Sequence, residues 1–169
     1  MKDFYSLFIK ELQDIYAAEK QILKALPEMA KAAHSQSLKD AFHQHLKETK
    51  EQIKRLETVS RELNEEIDGT QNEIVKSMLA EGHKLIKAHF EPMVRDAALV
   101  NAAQHVEHYE IASYGILKAF AKHLKLTDVY NLLDDSSREE GSMNKTLTSI
   151  AEGSVFQKGV NDKACEKCA

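Results

Sequence analysis

The stretch that decides the fold is Ala102-Ala103-Gln104-His105-Val106-Glu107-His108-Tyr109-Glu110-Ile111-Ala112-Ser113-Tyr114-Gly115. Its apolar residues recur every three or four positions, which predicts a helix with one buried face. Glu110 falls in the middle of this face, and Glu107 lies one turn before it on the same side. A buried carboxylate is costly unless it is protonated, paired or bound to a metal. The stretch therefore predicts special partners for these two acids inside the protein.

Composition favours one helical domain. The chain has 169 residues, of which 43% are hydrophobic and 30% charged, with only six glycines and two prolines. These values are typical of a globular protein and favour helices over a turn-rich β fold. A net charge of -4 provides no basic surface, which argues against nucleic acid as the main partner. Charged residues interrupt the N-terminal stretch and no apolar run reaches the length of a membrane span, so we expect a cytoplasmic protein without a membrane partner.

Helical spacing continues through most of the chain and predicts four long helices and one short helix. Pro27 is expected to bend or break the first helix. Ser35 or Ser37 is available as the cap of the second helix, and Thr127 or Asp128 as the cap of the last. The predicted bounds are about 3–33, 38–63, 71–89, 93–124 and 127–151, and the third of these is the short helix.

No segment shows the two-residue alternation of a strand, so the fold class predicted is all-α. The economical arrangement is an antiparallel four-helix bundle with the short helix in the crossover between the second and third long helices. Residues 1–151 form the bundle in this prediction, and residues 152–169 form a polar, loosely ordered tail. The tail holds the only cysteines, Cys165 and Cys168, and a solvated pair of thiols is favoured there over a zinc site or a redox motif.

Each of the four long helices places an acid or a polar group at a core position near its middle. These groups converge at one depth in an antiparallel bundle. The candidates are Glu19 in the first helix, His45, Glu48 and Gln52 in the second, Glu107 and Glu110 in the third, and Glu140 in the fourth. An oxygen-rich cluster with an occasional imidazole suits iron or manganese, and carboxylates can bridge two such ions.

Each candidate also has a simpler interpretation when it is taken alone. Glu19 or Glu140 could be buried against a lysine or a tyrosine hydroxyl. Glu107 and Glu110 could form flank salt bridges or share a proton. His45 alone is more often a hydrogen-bonded core histidine than a ligand, and His105, His108 and His123 are expected at the surface. Taken together, acids from four helices at one level favour a metal site over an apolar bundle core.

The same residues carry a resemblance to a known family. Three stretches resemble the YciF/YciE-type bacterial stress proteins, a branch of the ferritin-like superfamily, and the resemblance covers nearly all of residues 1–151. It implies a rubrerythrin-like bundle, a homodimer and a candidate site for two metal ions, with ligand roles at Glu19, Glu48, Glu107, Glu110 and Glu140. The stretches are residues 11–27, residues 45–49 with 55–57, and residues 102–115.

The chain departs from the superfamily pattern at two positions. The usual Glu-x-x-His pair has Glu51, followed by Gln52, in place of the histidine after Glu48. After Glu140 the corresponding positions hold Met143 and Asn144. His45, Glu51, Gln52 and Asn144 are therefore secondary ligand candidates. With fewer imidazoles, the ligands are mostly oxygen atoms, which are hard ligands. Three alternatives stay open for such a site: it binds manganese, it binds iron weakly, or it binds no metal.

The leading hypothesis is a di-metal stress protein that uses iron or manganese and handles ferrous iron or peroxide, with O2 or H2O2 as a small ligand. Tyr16, Tyr109 and Tyr114 are candidate hydrogen-bond partners of the site or ordinary core residues. The alternative is a metal-free structural or interaction bundle that kept the fold and lost the chemistry. A storage cage is a third idea, and no feature of the sequence signals a cage-forming surface.

Overall fold

The structure, a computed structural model, describes residues 3–166. It confirms the prediction of an all-α bundle, with one very small hairpin added. The elements in chain order are α1 (Phe4–Ala32), α2 (Gln36–Leu63), α3 (Glu73–Lys87), α4 (Pro92–His123), α5 (Thr127–Glu152), β1 (Gly153–Ser154), β2 (Gln157–Lys158) and α6 (Val160–Cys165).

The four long helices pack as two hairpins, α1 with α2 and α4 with α5. Residues 33–35 and 124–126 join the helices of each hairpin, and such short connections make neighbouring helices antiparallel. Further contacts of α2 with α5 and of α1 with α4 close the bundle. The short helix α3 lies in the crossover and packs on α1 and α4. Mid-helix residues of all four long helices therefore face one common core.

α1 continues without a break through Pro27, so the alternative of a broken helix is wrong. Proline removes one backbone donor and usually disturbs the helix around it. Here Ala25, Leu26, Met29 and Ala30 on either side of the proline are all buried. Tertiary packing on both sides therefore favours one continuous helix.

The cap predictions had mixed outcomes. Ser35 is the N-cap residue of α2, as one alternative proposed, but its side chain makes no capping bond. α5 is capped at Leu126, so the prediction of Thr127 or Asp128 as the cap is wrong. Asp128 instead lies in the first turn of α5, where a negative charge interacts favourably with the helix dipole.

The crossover between α2 and α3 is held close to α1. A side chain on Gly69 would collide with the backbone carbonyl of Gln13, so only glycine allows this approach. Asn72 caps α3 by accepting a hydrogen bond from the Val75 N–H at 3.0 Å. Its amide also donates to the hydroxyl of Tyr109 at 2.6 Å. α3 is therefore tied to both α1 and α4 at its first turn.

The C-terminal part of the described chain contains the only strands in residues 3–166. β1 and β2 pair antiparallel over two residues each, so the prediction of no strands is wrong at this place. Two residues are too few to show alternation, and the turn depends on Gly153, whose φ is +73°. α6 follows and buries Val160.

The two cysteines lie at the end of the chain. Cys165 is exposed with a free thiol, whereas Cys168 lies outside the described residues. The division of the chain at residue 151 stays a prediction.

Within residues 3–166, no helix is both long and apolar enough to cross a lipid bilayer.

Candidate metal centre

Four helices bring buried acids and one histidine to a single point of the core. Glu19 (α1), Glu110 (α4) and Glu140 (α5) are 0% exposed, Glu107 (α4) is 1% exposed and His45 (α2) is 3% exposed. The Nε2 atom of His45 lies 3.3 Å from Oε1 of Glu107 and 4.0 Å from Oε2 of Glu110. The sequence placed these residues on the inner faces of their helices, and the bundle brings them together.

The spacing of four of these groups is close to that of metal ligands. His45, Glu107, Glu110 and Glu140 each offer one ligand atom, and these atoms all lie within 4.8 Å of one another. Two ligands on opposite sides of an ion are about 4.3 Å apart when each bond is about 2.1–2.2 Å long. No pair of these atoms therefore has to approach by more than about half an ångström to reach the spacing of two opposite ligands.

Glu19 completes the cluster from the side of α1. Its Oε1 accepts a hydrogen bond of 2.5 Å from the hydroxyl of Tyr114, which is 0% exposed. Burial raises the pKa of Glu19 well above its usual value, the nearby Glu140 carboxylate raises it further, and the Tyr114 hydrogen bond opposes both. Tyr114 is the tyrosine that contacts the cluster directly. Tyr16 instead donates to Glu57, and Tyr109 accepts from Asn72.

Two side chains of α2, Gln52 and Arg55, hold the adjacent acids Glu139 and Glu140 of α5. The amide of Gln52 donates to Oε1 of Glu140 and, at 3.1 Å, to Oε2 of Glu139. Arg55 donates to both oxygens of Glu139, at 2.7 Å and 2.6 Å, in a two-bond geometry that fixes the carboxylate. The Gln52 amide therefore positions Glu140, while the Oε1 atom of Gln52 is buried without a partner, so Gln52 stays a secondary ligand candidate.

The remaining candidates lie at the margin or outside. Glu48 is half-buried: Oε1 accepts from the Gln44 amide at 2.8 Å, and Oε2 is buried without a partner. Glu51 is exposed and pairs with Lys54 at 2.7 Å. Asn144 accepts a hydrogen bond from Gln104 at 3.3 Å. The structure thus keeps Glu48 near the cluster and leaves Glu51 in solvent, whereas Asn144, half-buried one turn after Glu140, stays a secondary candidate.

The three expected surface histidines, His105, His108 and His123, are all exposed.

Burial controls the protonation of the cluster. It raises the pKa of Glu107 and Glu110 well above their usual values, and the neighbouring carboxylates add to the effect. Burial also raises the pKa of Glu140 to about 7, against hydrogen bonds from Glu107 and Gln52 that lower it. The pKa of His45 is lowered to about 4, again by burial. At neutral pH the imidazole is therefore uncharged, which is the form that binds metals.

Unsatisfied polar atoms concentrate in this one place. Eleven buried side-chain nitrogen and oxygen atoms of residues 3–166 lack a hydrogen-bond partner. Nine of the eleven belong to the cluster and its margin, and they include both ring nitrogens of His45 and both oxygens of Glu110. Native proteins leave few such atoms, because each costs about 1–3 kcal/mol or more when it is charged. The donor set of carboxylates and one imidazole is what iron or manganese would satisfy, so these residues fit a metal ion.

Sequence reasoning missed two polar contacts that organise the surroundings. Asp96 of α4 is 0% exposed and accepts the backbone N–H groups of His34 and Ser35, at 2.6 Å and 2.7 Å. Arg55 lies in one of the family stretches, but nothing in the sequence predicts its ion pair with Glu139. Both contacts join residues more than 60 positions apart, so helical spacing carries no signal for them.

Comparison with known proteins identifies the family. Residues 3–161 match the family model described as a domain of unknown function, DUF892. The chain is also 40% identical to protein YciF of Escherichia coli K12 over 162 residues, which is 95% of this chain and 98% of YciF. The chain belongs to the DUF892 family. The resemblance stated from the sequence is confirmed.

Solved structures of relatives agree with the fold. The crystal structure of the E. coli stress protein YciF matches 94% of this chain and all of that chain, with a TM-score of 0.89 and 40% identity. YcfI of Rhodopseudomonas palustris, a protein given a provisional structural role, matches 89% of this chain and 96% of its own, with a TM-score of 0.86 and 37% identity. A protein of Xanthomonas campestris matches 87% and 89% at 25% identity, with a TM-score of 0.70.

Proposed function

We propose that this DUF892 protein is a cytoplasmic stress protein whose bundle core binds two iron or manganese ions and uses them to oxidise ferrous iron or reduce peroxide. The observation that carries the proposal is the concentration of unpartnered buried polar atoms at the meeting point of four helices. A relative with 40% identity, YciF, is described as a stress protein, which supports the stress role.

The described residues divide into ligands and supporting groups. His45, Glu107, Glu110 and Glu140 would hold one ion, and Glu19 and Glu48 offer the further carboxylates for a second. Bound iron would supply the electrons that reduce O2 or H2O2. Without the metal, the raised pKa values keep the buried carboxyls protonated, so metal binding must release protons. Tyr114 and Gln52 orient Glu19 and Glu140, and the surrounding aliphatic core excludes water.

Anaerobic titration with Fe(II) or Mn(II), followed by elemental analysis, tests the proposal. We expect about two ions per chain. At about a hundredfold excess over the dissociation constant, binding should raise the melting temperature by roughly 5–10 °C. Glu110→Gln should weaken binding by at least about a hundredfold, since it removes a charged ligand. The matched control is Glu51→Gln, the same substitution at an exposed acid paired with Lys54, which should leave binding unchanged.

A metal-free structural bundle is the second candidate function. The provisional structural role given to the R. palustris relative favours it, and so does Gln52, which replaces a possible ligand and bonds to Glu140. In that case protons, and never a metal ion, occupy the carboxylates of the cluster. Absence of bound metal together with melting curves that do not respond to Fe(II), Mn(II) or Zn(II) would favour this candidate over the first.

The homodimer implied by the family resemblance is part of the proposal. Large apolar side chains are exposed at Phe4, Ile74 and Ile116, with exposed fractions of 42%, 56% and 46%. A second copy that covers such residues would gain burial energy. Sedimentation equilibrium should then give twice the mass of the 169-residue chain, and a much larger mass would point to a cage.

A further inference from the structure

Two small cavities lie between α3 and the bundle, beside the candidate metal centre. The inner cavity has a volume of about 20 Å³ and is lined by His45 and Glu107 of the centre. Its other lining residues are aliphatic or methionine. The outer cavity also has a volume of about 20 Å³ and lies under α3, next to Gly82. One water-sized molecule needs about 10–15 Å³ of such space, so each cavity is large enough for one small molecule.

The two cavities lie next to each other. They share Ala25, Met29, Leu79 and Val106 in their walls. The outer cavity also touches His83, whose side chain is 43% exposed. Together they lead from the edge of α3 to the histidine and one glutamate of the centre. We call this series of cavities the α3 passage.

The walls of the α3 passage select for small apolar molecules. Between the partly exposed His83 and the two residues of the centre, its walls offer only apolar side chains. A water or peroxide molecule needs about 2–4 polar partners to enter such a space, and a metal ion would lose its hydration. Molecular oxygen is small, uncharged and apolar, and it needs no such partners.

We propose that the α3 passage is the entry route by which dioxygen reaches the His45 and Glu107 side of the metal centre. This inference rests on the proposed function and selects O2 over peroxide as the molecule that arrives by this route. Leu79 and Met29 stand in the walls of both cavities. Rotamer changes of such side chains, of which methionine is the more flexible, take place in picoseconds to nanoseconds and open the way for single molecules.

α3 is fixed over this route at two points. Asn72 bonds to Tyr109 at 2.6 Å and to the Asp14 carbonyl at 3.1 Å. His83 bonds to Glu28 of α1 at 2.6 Å. These bonds hold the helix against both neighbours, so we expect the passage to open by motion of its side chains and not by displacement of α3.

Gly82 offers a way to close the passage without disturbing the fold. It is buried in the wall of the outer cavity, and an added Cβ would meet no atom within 4 Å. We therefore expect the leucine side chain of Gly82→Leu to occupy the outer cavity. Gly115→Leu is the matched control, because Gly115 is also a helical glycine with no atom near an added Cβ, and it is exposed on α4. Leucine is a better helix former than glycine at both positions.

The first measurement is xenon binding to the metal-free protein, by xenon NMR or by xenon-pressurised crystals, since xenon occupies dry apolar cavities. We expect xenon at the passage in the wild type and in Gly115→Leu, and its loss in Gly82→Leu. Leu79→Ala removes part of the wall that the two cavities share and so enlarges them, and it should increase the xenon occupancy. Absence of xenon in the wild type, or equal occupancy in Gly82→Leu, would overturn the proposal.

The second measurement is the rate at which the ferrous-loaded protein reacts with O2 and, separately, with H2O2. Gly82→Leu should slow the O2 reaction by at least about tenfold relative to Gly115→Leu and change the H2O2 reaction far less. Equal rates with O2, or an equal loss with both oxidants, would contradict an oxygen-selective route. Iron stoichiometry keeps the two proposals apart: full loading without these effects overturns the passage, and xenon binding without iron loading overturns the proposed function.

Discussion

Two buried carboxylate regions of α4 differ in how their charge is satisfied. Asp96 and Glu110 are both 0% exposed and lie on one helix. Both oxygens of Asp96 accept backbone N–H groups, from His34 and Ser35. Both oxygens of Glu110 lack a partner, and its neighbours are further acids and one histidine. The protein itself provides hydrogen-bond donors for both oxygens of Asp96, whereas the oxygens of Glu110 need protons or a metal ion.

Burial alone does not distinguish a structural acid from a functional one, whereas the hydrogen-bond partners of the acid do. A buried acid with full backbone partners holds a structure together, and here Asp96 fixes the turn between α1 and α2 against α4. A buried acid whose oxygens lack hydrogen-bond partners lowers the stability of the fold, and a residue that is kept at such a cost is usually functional. Three predictions follow from this difference, from the largest effect to the smallest.

The largest effect is expected at the completed acid. Asp96→Ala should lower the free energy of unfolding by about 3 kcal/mol, because two backbone N–H groups become buried without acceptors. Glu110→Gln should change the stability of the metal-free protein in the opposite direction above pH 7, because it removes an acid that tends to ionise in an apolar site. Urea unfolding measures both. If the two variants lose similar stability, the distinction between the regions is wrong.

The second prediction is a reversal of pH dependence. The cluster glutamates have pKa values raised in the folded protein above 4.5, with Glu140 at about 7. Their stabilising contribution is full below the unfolded pKa and is lost as the pH rises through the folded values. His45 opposes this between about pH 4 and 6.5, because its folded pKa is lowered. The acids outnumber it, so metal-free stability should fall from pH 5 to pH 8 by about 1.4 kcal/mol per pH unit for each net proton.

Metal should reverse this trend, because it binds the deprotonated carboxylates. Melting temperatures at saturating Fe(II) or Mn(II), measured anaerobically, should rise with pH over the same interval. Glu110→Gln should reduce the slope in both conditions, whereas Glu51→Gln should leave both slopes unchanged. A single trend with and without metal would contradict the ligand assignment.

The smallest effect is expected at Tyr114. Tyr114→Phe removes one hydrogen bond to Glu19 and should lower the free energy of unfolding by about 1 kcal/mol. Because that bond opposes the rise in the pKa of Glu19, its loss should leave Glu19 protonated to a higher pH. Infrared absorption of the protonated carboxyl group, followed against pH, measures this shift. Tyr109→Phe is the control, since its hydroxyl bonds to Asn72 and not to the cluster.

The helices could be predicted because their signal is local. The three- or four-residue spacing of apolar side chains gave all five larger helices to within a few residues, and the acids on those faces gave Glu19, Glu107, Glu110 and Glu140 as core positions. The cap at Leu126 and the unbroken helix at Pro27 were not predictable in this way, because tertiary packing overrides local preference. The hairpin at Gly153 is too short to leave a pattern.

The sequence by itself determined that four helices would place acids or other polar groups in the core at a common depth, because residue spacing fixes which side of a helix a residue occupies. Only the tertiary structure decided which acids face one another. It brought His45 to Glu107, gave Tyr114 to Glu19 and Gln52 to Glu140, and left Glu51 in solvent. It also separated the satisfied Asp96 from the open Glu110, because partners 60 and more positions away depend on how the helices pack.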